Sequence, residues 1–170
     1  KYRQWLKGVV VEYISSKYQS GPIYHDHTQG NKNHVGGNDN YYNHYIYPGW
    51  QHWGQAMGNP LFRSPIYNED GNIYFYDNRF KAFHIGINGS PIANLDYRVL
   101  ATYQEGYGTY EIPFAKKQHN TSFMVEAAYH LPHNWHVTAA YGMDFGKLLG
   151  DNSGFQLTIR KNGILGKVKK

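Results

Sequence analysis

The sequence predicts an all-β protein, an antiparallel transmembrane β-barrel to which this chain contributes six C-terminal strands and a long extracellular loop region. Three observations predict it. Apolar and polar residues alternate with period two over several segments of about ten residues. The chain is rich in aromatics yet polar on average, with 17 Tyr, 4 Trp and 8 Phe at a mean hydropathy of −0.69. Short and long connections alternate between the segments. Barrels combine these features because each strand gives only alternate residues to lipid. A secreted all-β binding module can share the composition, so the strand pattern and the connections carry the argument.

The strands are expected at 7–16, 79–88, 95–104, 122–131, 135–145 and 155–162. In the first, Val9, Val11 and Tyr13 alternate with Gly8, Val10, Glu12 and Ile14. In the second, Phe83, Ile85 and Ile87 alternate with Ala82, His84, Gly86 and Asn88. The third sets Leu95, Tyr97, Val99, Ala101 and Tyr103 against Asp96, Arg98, Leu100, Thr102 and Gln104. The fourth sets Phe123, Val125, Ala127, Tyr129 and Leu131 against Met124, Glu126, Ala128 and His130. The fifth runs Trp135, Val137, Ala139, Tyr141, Met143 and Phe145 against His136, Thr138, Ala140, Gly142 and Asp144. The sixth runs Phe155, Leu157 and Ile159 against Gln156, Thr158 and Arg160. Strict alternation marks strands with unlike faces, and about ten residues suffice for a tilted strand to cross a bilayer.

Aromatic residues fall at or near the segment ends. Trp135, Phe123 and Phe155 open apolar faces, while Tyr129, Tyr103 and Phe145 close them. Rings at both edges of an apolar band are the pattern of interfacial girdles. The connections 89–94 and 132–134 are short, whereas 105–121, 146–154 and above all 17–78 are longer. Assigning short turns to the periplasm sends the last strand downward and the first upward, so the C-terminus is expected in the periplasm. Six strands fall below the roughly eight of the smallest transmembrane barrels. Further strands are therefore expected from upstream sequence of the same barrel or from another copy.

Composition excludes several classes. With no Cys, neither a disulfide framework nor a thiolate metal site can form. No run approaches the ~18 apolar residues of a membrane helix. The net charge is +5, with Lys161, Lys167, Lys169 and Lys170 gathered at the end. A solvated terminus explains them, and no nucleic-acid partner is expected.

The loop 17–78 is dominated by Gly, Asn, His, Tyr and Trp. Loops this long are usually functional or disordered, and so many aromatics argue for packed structure, with a short helix expected near 50–57. Aromatic rings beside Asn, Asp, Gln and His suit sugars: ring faces stack on pyranose C–H faces, and planar polar groups pair with hydroxyls. The expected carbohydrate-facing set is Tyr41, Tyr42, His44, Tyr45, Trp50 and Trp53, with Asn38 and Asp39 shaping the loop or meeting hydroxyls. The plain alternative is that these rings form the small core of a cap.

The run Gly36-Gly37-Asn38-Asp39-Asn40-Tyr41-Tyr42-Asn43-His44-Tyr45, then Gly49-Trp50 and Gly54-Gln55-Ala56-Met57-Gly58-Asn59-Pro60-Leu61, resembles the Wzi-like capsule assembly proteins. The likeness continues through Asn78-Arg79, Gly108-Thr109-Tyr110, Asp144-Phe145-Gly146 and Gly150-Asp151-Asn152-Ser153-Gly154. It covers most of residues 20–160 and corresponds to the C-terminal part of the family. The chain departs from the family in lacking its N-terminal part, and from barrel proteins generally in ending Gly166-Lys167-Val168-Lys169-Lys170, without a terminal aromatic. The resemblance implies an outer-membrane barrel that holds capsular polysaccharide as a lectin does. It places the chain in the outer membrane of a Gram-negative bacterium, with long loops outside.

The polar faces of the strands bring His84, Asp96, Arg98, Glu126, His130, His136, Asp144 and Arg160 to one side, the expected lumen. Paired carboxylates there could hydrolyse glycosides, but a network of opposite charges filling the lumen explains them more simply. His25-Asp26-His27 could offer metal ligands; in a chain with 10 His the pattern has little weight. No nucleophile motif or phosphate-cradling Gly loop is present. The expectation is a polysaccharide-binding barrel with no catalytic residue, no metal and no cofactor. Its expected partners are polysaccharide, outer-membrane lipid, the upstream part of the barrel and other outer-membrane proteins. The rival readings are a transport barrel, a soluble secreted glycan-binding β-sandwich and a surface glycosidase.

Overall fold

The structure, a computed structural model, describes residues 3–18, 40–44, 46–47 and 50–163. Six long strands form one antiparallel sheet in the order β1-β4-β5-β6-β7-β8. They are β1 (Gln4–Ser15), β4 (Phe80–Ile92), β5 (Leu95–Gly108), β6 (Pro113–Leu131), β7 (Trp135–Gly146) and β8 (Asn152–Lys161). Two short strands, β2 (Gln51–His52) and β3 (Gln55–Ala56), make a separate hairpin. Each long strand pairs with the next long strand in sequence, the simplest antiparallel topology. Among the described residues the sheet is open, with β1 and β8 as its edges.

The register sorts side chains into two unlike faces. One cross-strand row reads Glu12–His84–Thr102–Ser122–Asp144–Asn152 and is wholly polar. On the opposite face a row reads Val9–Ile87–Val99–Val125–Tyr141–Phe155 and is wholly apolar. Towards one end of that face, Tyr13, Phe83, Tyr103, Thr121 and Phe145 align. Towards the other, Tyr129 pairs with Leu95 and Val137, and Leu131 with Trp135. Phe123 and Phe155 differ from expectation. Phe123 faces Ala101 and Met143, and Phe155 faces Tyr141, so both lie inside the apolar band. Strand stagger decides the level of a residue, and position along its own segment does not reveal stagger.

The strands outrun their apolar segments. β6 begins at Pro113, which shortens the connection from β5 to residues 109–112. Here Glu105 pairs with Lys81 and His119, continuing the face of the apolar row with charged residues. The ladder persists where the hydrophobic alternation has stopped. At the other end β4 runs to Ile92, leaving a two-residue turn at Ala93-Asn94. A register shift in β1 between Gln4 and Gly8 accompanies a close approach of Trp5 to Gly89. A Cβ on Gly89 would lie 1.8 Å from Trp5 O, so only glycine fits.

The core lies at one end of the sheet. Phe62, Phe75, Phe80 and Ala82 are buried together, with Ile14, Tyr42, Ala56 and Leu61 packed against them. Ile14, Phe80 and Ala82 occupy the polar-row face of β1 and β4. The described residues of the β1–β4 connection therefore fold over that face and cap it. The expected helix near 50–57 is absent, and the β2–β3 hairpin takes its place. The turn geometry at Trp53-Gly54 explains the difference.

Candidate functional site

Asparagine side chains hold the cap. Asn43 Nδ2 donates to Phe75 O at 2.9 Å, and Phe75 N donates to Asn43 Oδ1 at 2.7 Å. The amide thus pairs with a buried backbone as a neighbouring strand would. Asn68 Nδ2 donates to Asn72 O and Tyr74 O at 2.8 and 2.7 Å. Asn40 Nδ2 donates to Glu111 Oε2 at 2.7 Å, tying the cap to the β5–β6 turn. Gln104, on the polar-row face of β5, donates to Leu61 O at 3.1 Å from below.

The hairpin projects from this base. Trp53 and Gly54 have φ of 51° and 76°, the two positive values of a type I′ turn. Gly54 N donates to Gln51 Oε1 at 2.7 Å, and Ile66 N donates to Gly54 O at 2.9 Å. Gly54 lies so close to Ile66 that an added Cβ would meet its backbone N at 3.3 Å. These contacts fix the tip against the 3-10 turn Pro65–Tyr67. A tryptophan in the left-handed region carries roughly 1–2 kcal/mol of strain. Its indole is also 86% exposed. It borders a cleft of about 480 Å³ lined by Gln51, Trp53, Pro65, Ile66 and Ile73.

The expected carbohydrate-facing residues divide three ways. Trp50, Trp53 and Tyr41 have exposed rings. Tyr42 instead stacks on Phe62 at 4.0 Å between ring centres and meets Phe75 edge-on at 4.9 Å. Burial raises its pKa, and its ring supports the cap. Trp50 stands 6.2 Å from Tyr42, between core and surface. His44 Nδ1 accepts from Ile46 N at 3.3 Å and shapes the chain locally. Asn38, Asp39 and Tyr45 lie outside the described residues, as do His25-Asp26-His27. Gln51, Ile66 and Ile73 were not foreseen as site residues. Only Gly54 punctuates this stretch, and Trp-Gly is not among the dipeptides that mark a turn.

Asp70 and Tyr76 adjoin this region. The Tyr76 hydroxyl donates to Asp70 Oδ2, and Asn72 N donates to Asp70 Oδ1 at 3.0 Å. The tyrosine bond, followed by the backbone bond, lowers the carboxyl pKa, and the same pairing raises that of Tyr76. Asp77 behaves oppositely. Burial pushes its pKa up to about 7, although Gly108 N and Tyr107 N donate to it and Arg79 is near.

The expected lumen residues share the polar-row face, and several are joined. Asp96 Oδ2 lies 2.5 Å from His130 Nε2, and His130 Nδ1 lies 2.7 Å from His136 Nδ1. Asn162 Nδ2 is 3.2 Å from His136 Nε2. At the far side Ser90 donates to Asp96, and Lys7 Nζ stands 3.4 Å from Asp96 Oδ1. This chain links all six strands or their ends. Arg98 pairs with Glu126 at 3.1 Å, His84 Nδ1 lies 2.7 Å from Thr102 Oγ1, and Ser122 donates to Asp144 at 2.5 Å. Arg160 lies opposite His136 in the ladder. A cleft of about 520 Å³ beside Asp144 is lined also by Arg63, Tyr67, Leu149 and Asn152. Among the described residues, no group of three or more His, Cys, Asp or Glu side chains could hold a metal ion.

No protein family, curated protein or solved structure matches the chain in the comparisons made.

Proposed function

We propose that this chain is part of an outer-membrane β-barrel of the Wzi-like capsule assembly type, whose cap binds surface polysaccharide without catalysis. The observation that carries the binding reading is Trp53. A strained backbone and an indole left in solvent are two costs at one residue, and such outliers cluster where ligands bind. Trp53 borders a cleft that Gln51 also lines, its amide oxygen accepting from Gly54 N. A flat apolar platform beside a planar amide is what a pyranose needs.

The membrane reading draws on the outward face. Val11, Phe83, Phe155, Leu157 and Ile159 are all more than half exposed on one continuous surface. Soluble monomers rarely expose apolar patches beyond a few hundred Å². In lipid, that face is buried, and both sheet edges must then be paired by further strands. The cap packs Phe62 and Leu61 onto Phe80 and Ala82 at one mouth of the inner face. That favours a closed barrel over a conducting one.

Three measurements test this reading. Extraction from isolated outer membranes should require detergent, and the unheated protein should migrate differently from the heated one on gels. Glycan arrays should then show polysaccharide binding that Trp53→Ala abolishes with the heat shift unchanged. Full solubility without detergent, or unaltered binding by the variant, sinks the corresponding half of the proposal.

A further inference from the structure

The outward surface of β4, β5 and β6 carries a second feature that polysaccharide binding does not use. Ala101 is small and stands among large neighbours on the apolar face. Around it Phe83, Ile85, Tyr103 and Phe123 border a hollow of about 320 Å³. A uniform apolar belt would be flat here.

Immediately beyond the hollow the same face becomes charged. Lys81, Glu105 and His119 form the cross-strand row two residues past Phe83, Tyr103 and Thr121. Lys117 Nζ lies 3.4 Å from Glu105 Oε2 and 5.4 Å from the Tyr107 ring centre. His119 stacks on Tyr103 at 5.7 Å, joining the charged row to the rim of the hollow. Lys147 N donates to His119 O at 3.0 Å, and Lys116, Lys117 and Lys147 line an adjoining cleft of about 340 Å³. Lys81 and Lys117 thus flank the Glu105 carboxylate, and Lys147 stands at the adjoining cleft. At about 3.3 Å per residue, the charged row stands roughly 13 Å along β5 from Ala101.

We propose that this surface seats one phosphorylated glycolipid of the outer leaflet, with an acyl chain in the hollow over Ala101 and phosphate among Lys81, Lys117 and Lys147. The inference rests on the outer-membrane reading. Charge complementarity selects the occupant. Lys81, Lys117 and Lys147 outnumber the Glu105 carboxylate that Lys81 and Lys117 flank, and a phosphate monoester brings up to two negative charges and several acceptor oxygens to such a site. The change from apolar hollow to lysines within one face matches a molecule with tails and a phosphorylated head. Tyr103, with its body in the hollow and its hydroxyl 2.7 Å from His119 Nδ1, marks the boundary.

The test is native mass spectrometry of the full-length protein extracted from outer membranes in mild detergent. Wild type should retain about one equivalent of a phosphorylated glycolipid. The triple variant Lys81→Gln/Lys117→Gln/Lys147→Gln should retain at least fivefold less, and so should Ala101→Phe, which fills the hollow from the surface. Equal retention by all three proteins, or retention of unphosphorylated lipid alone, overturns the proposal. Loss in the lysine variant with full retention by Ala101→Phe overturns the acyl seat. Membrane fractionation and heat-shifted migration of the same preparations separate the two readings. Residence in the membrane with equal retention defeats the lipid site alone, and absence from the membrane defeats both.

Discussion

Asp77 Oδ1 accepts from Gly108 N at 2.9 Å and fastens the segment before β4 to the end of β5. Tyr107 N donates to the same oxygen at 3.2 Å. Burial nevertheless holds the carboxyl pKa at about 7, above its ordinary 3.8. Between these values the folded protein binds a proton that the unfolded chain does not. Stability contributed by the protonated acid is therefore full below about pH 3.8, falls as pH rises, and is lost above about pH 7. The difference reaches at most about 4 kcal/mol. Asp77→Asn keeps the accepting oxygen and removes the titration. Its stability should change little between pH 5 and 8, while wild type weakens. Urea titrations at both pH values check this, and parallel profiles for the two proteins refute it.

Trp53→Asn separates strain from function. Asparagine tolerates the left-handed region far better than tryptophan, and Trp53 is at φ 51°. The variant should be as stable as wild type or about 1 kcal/mol more so, yet bind polysaccharide at least tenfold more weakly. A loss of stability together with retained binding would assign Trp53 a packing role.

Tyr42 and Asn43 should behave in the opposite way. Tyr42→Ala removes the ring that stacks on Phe62 and should cost about 3 kcal/mol. Asn43→Ala strands the N–H and the carbonyl of Phe75, a residue with no solvent exposure. Its cost should be about 2–4 kcal/mol. Asn43→Asp should not rescue it, because a carboxylate facing Phe75 O has no hydrogen to donate. Protease resistance of the cap reports these losses. Equal resistance in Asn43→Asp and wild type would show that the reciprocal pairing is unimportant.

The strands were legible where apolar residues on one face impose the alternation, as from Leu95 to Tyr103 and from Trp135 to Phe145. They became illegible where the same ladder continues with Glu105, Lys117 and His119. There the face is the same but no longer apolar, so period two survives in the backbone without a hydrophobic trace. The β2–β3 hairpin escaped because two-residue strands have no measurable period. The polar face was legible as a set, since even positions share a side, but pairings such as His130 with His136 required the register. In the cap, the sequence could name the aromatic residues but not sort them. Tyr42 and Trp53 are both rings in a polar loop, and only packing places one against Phe62 and the other in solvent.

Arg79 tests whether the Asn78-Arg79 and Gly108-Thr109-Tyr110 pairs act as one structural lock. Its Nε donates to Lys17 O and its Nη1 to Thr109 O, both at 3.2 Å. Its guanidinium lies 4.0 Å over the Tyr110 ring, and the Tyr110 hydroxyl donates to Lys17 O at 3.0 Å. Meanwhile Arg79 N donates to Gly108 O at 3.2 Å, and Tyr107 N donates to Arg79 O at 2.8 Å. One side chain thereby joins the ends of β1, β4 and β5. Lysine keeps the charge but loses the planar fork and the stacking face. Arg79→Lys should cost about 2 kcal/mol and expose the β1–β4 connection to protease at lower enzyme concentration. Arg79→Gln, uncharged but able to donate to one carbonyl, should be no worse than lysine if geometry dominates. If lysine matches wild type and glutamine alone fails, the lock is electrostatic and the fork is dispensable.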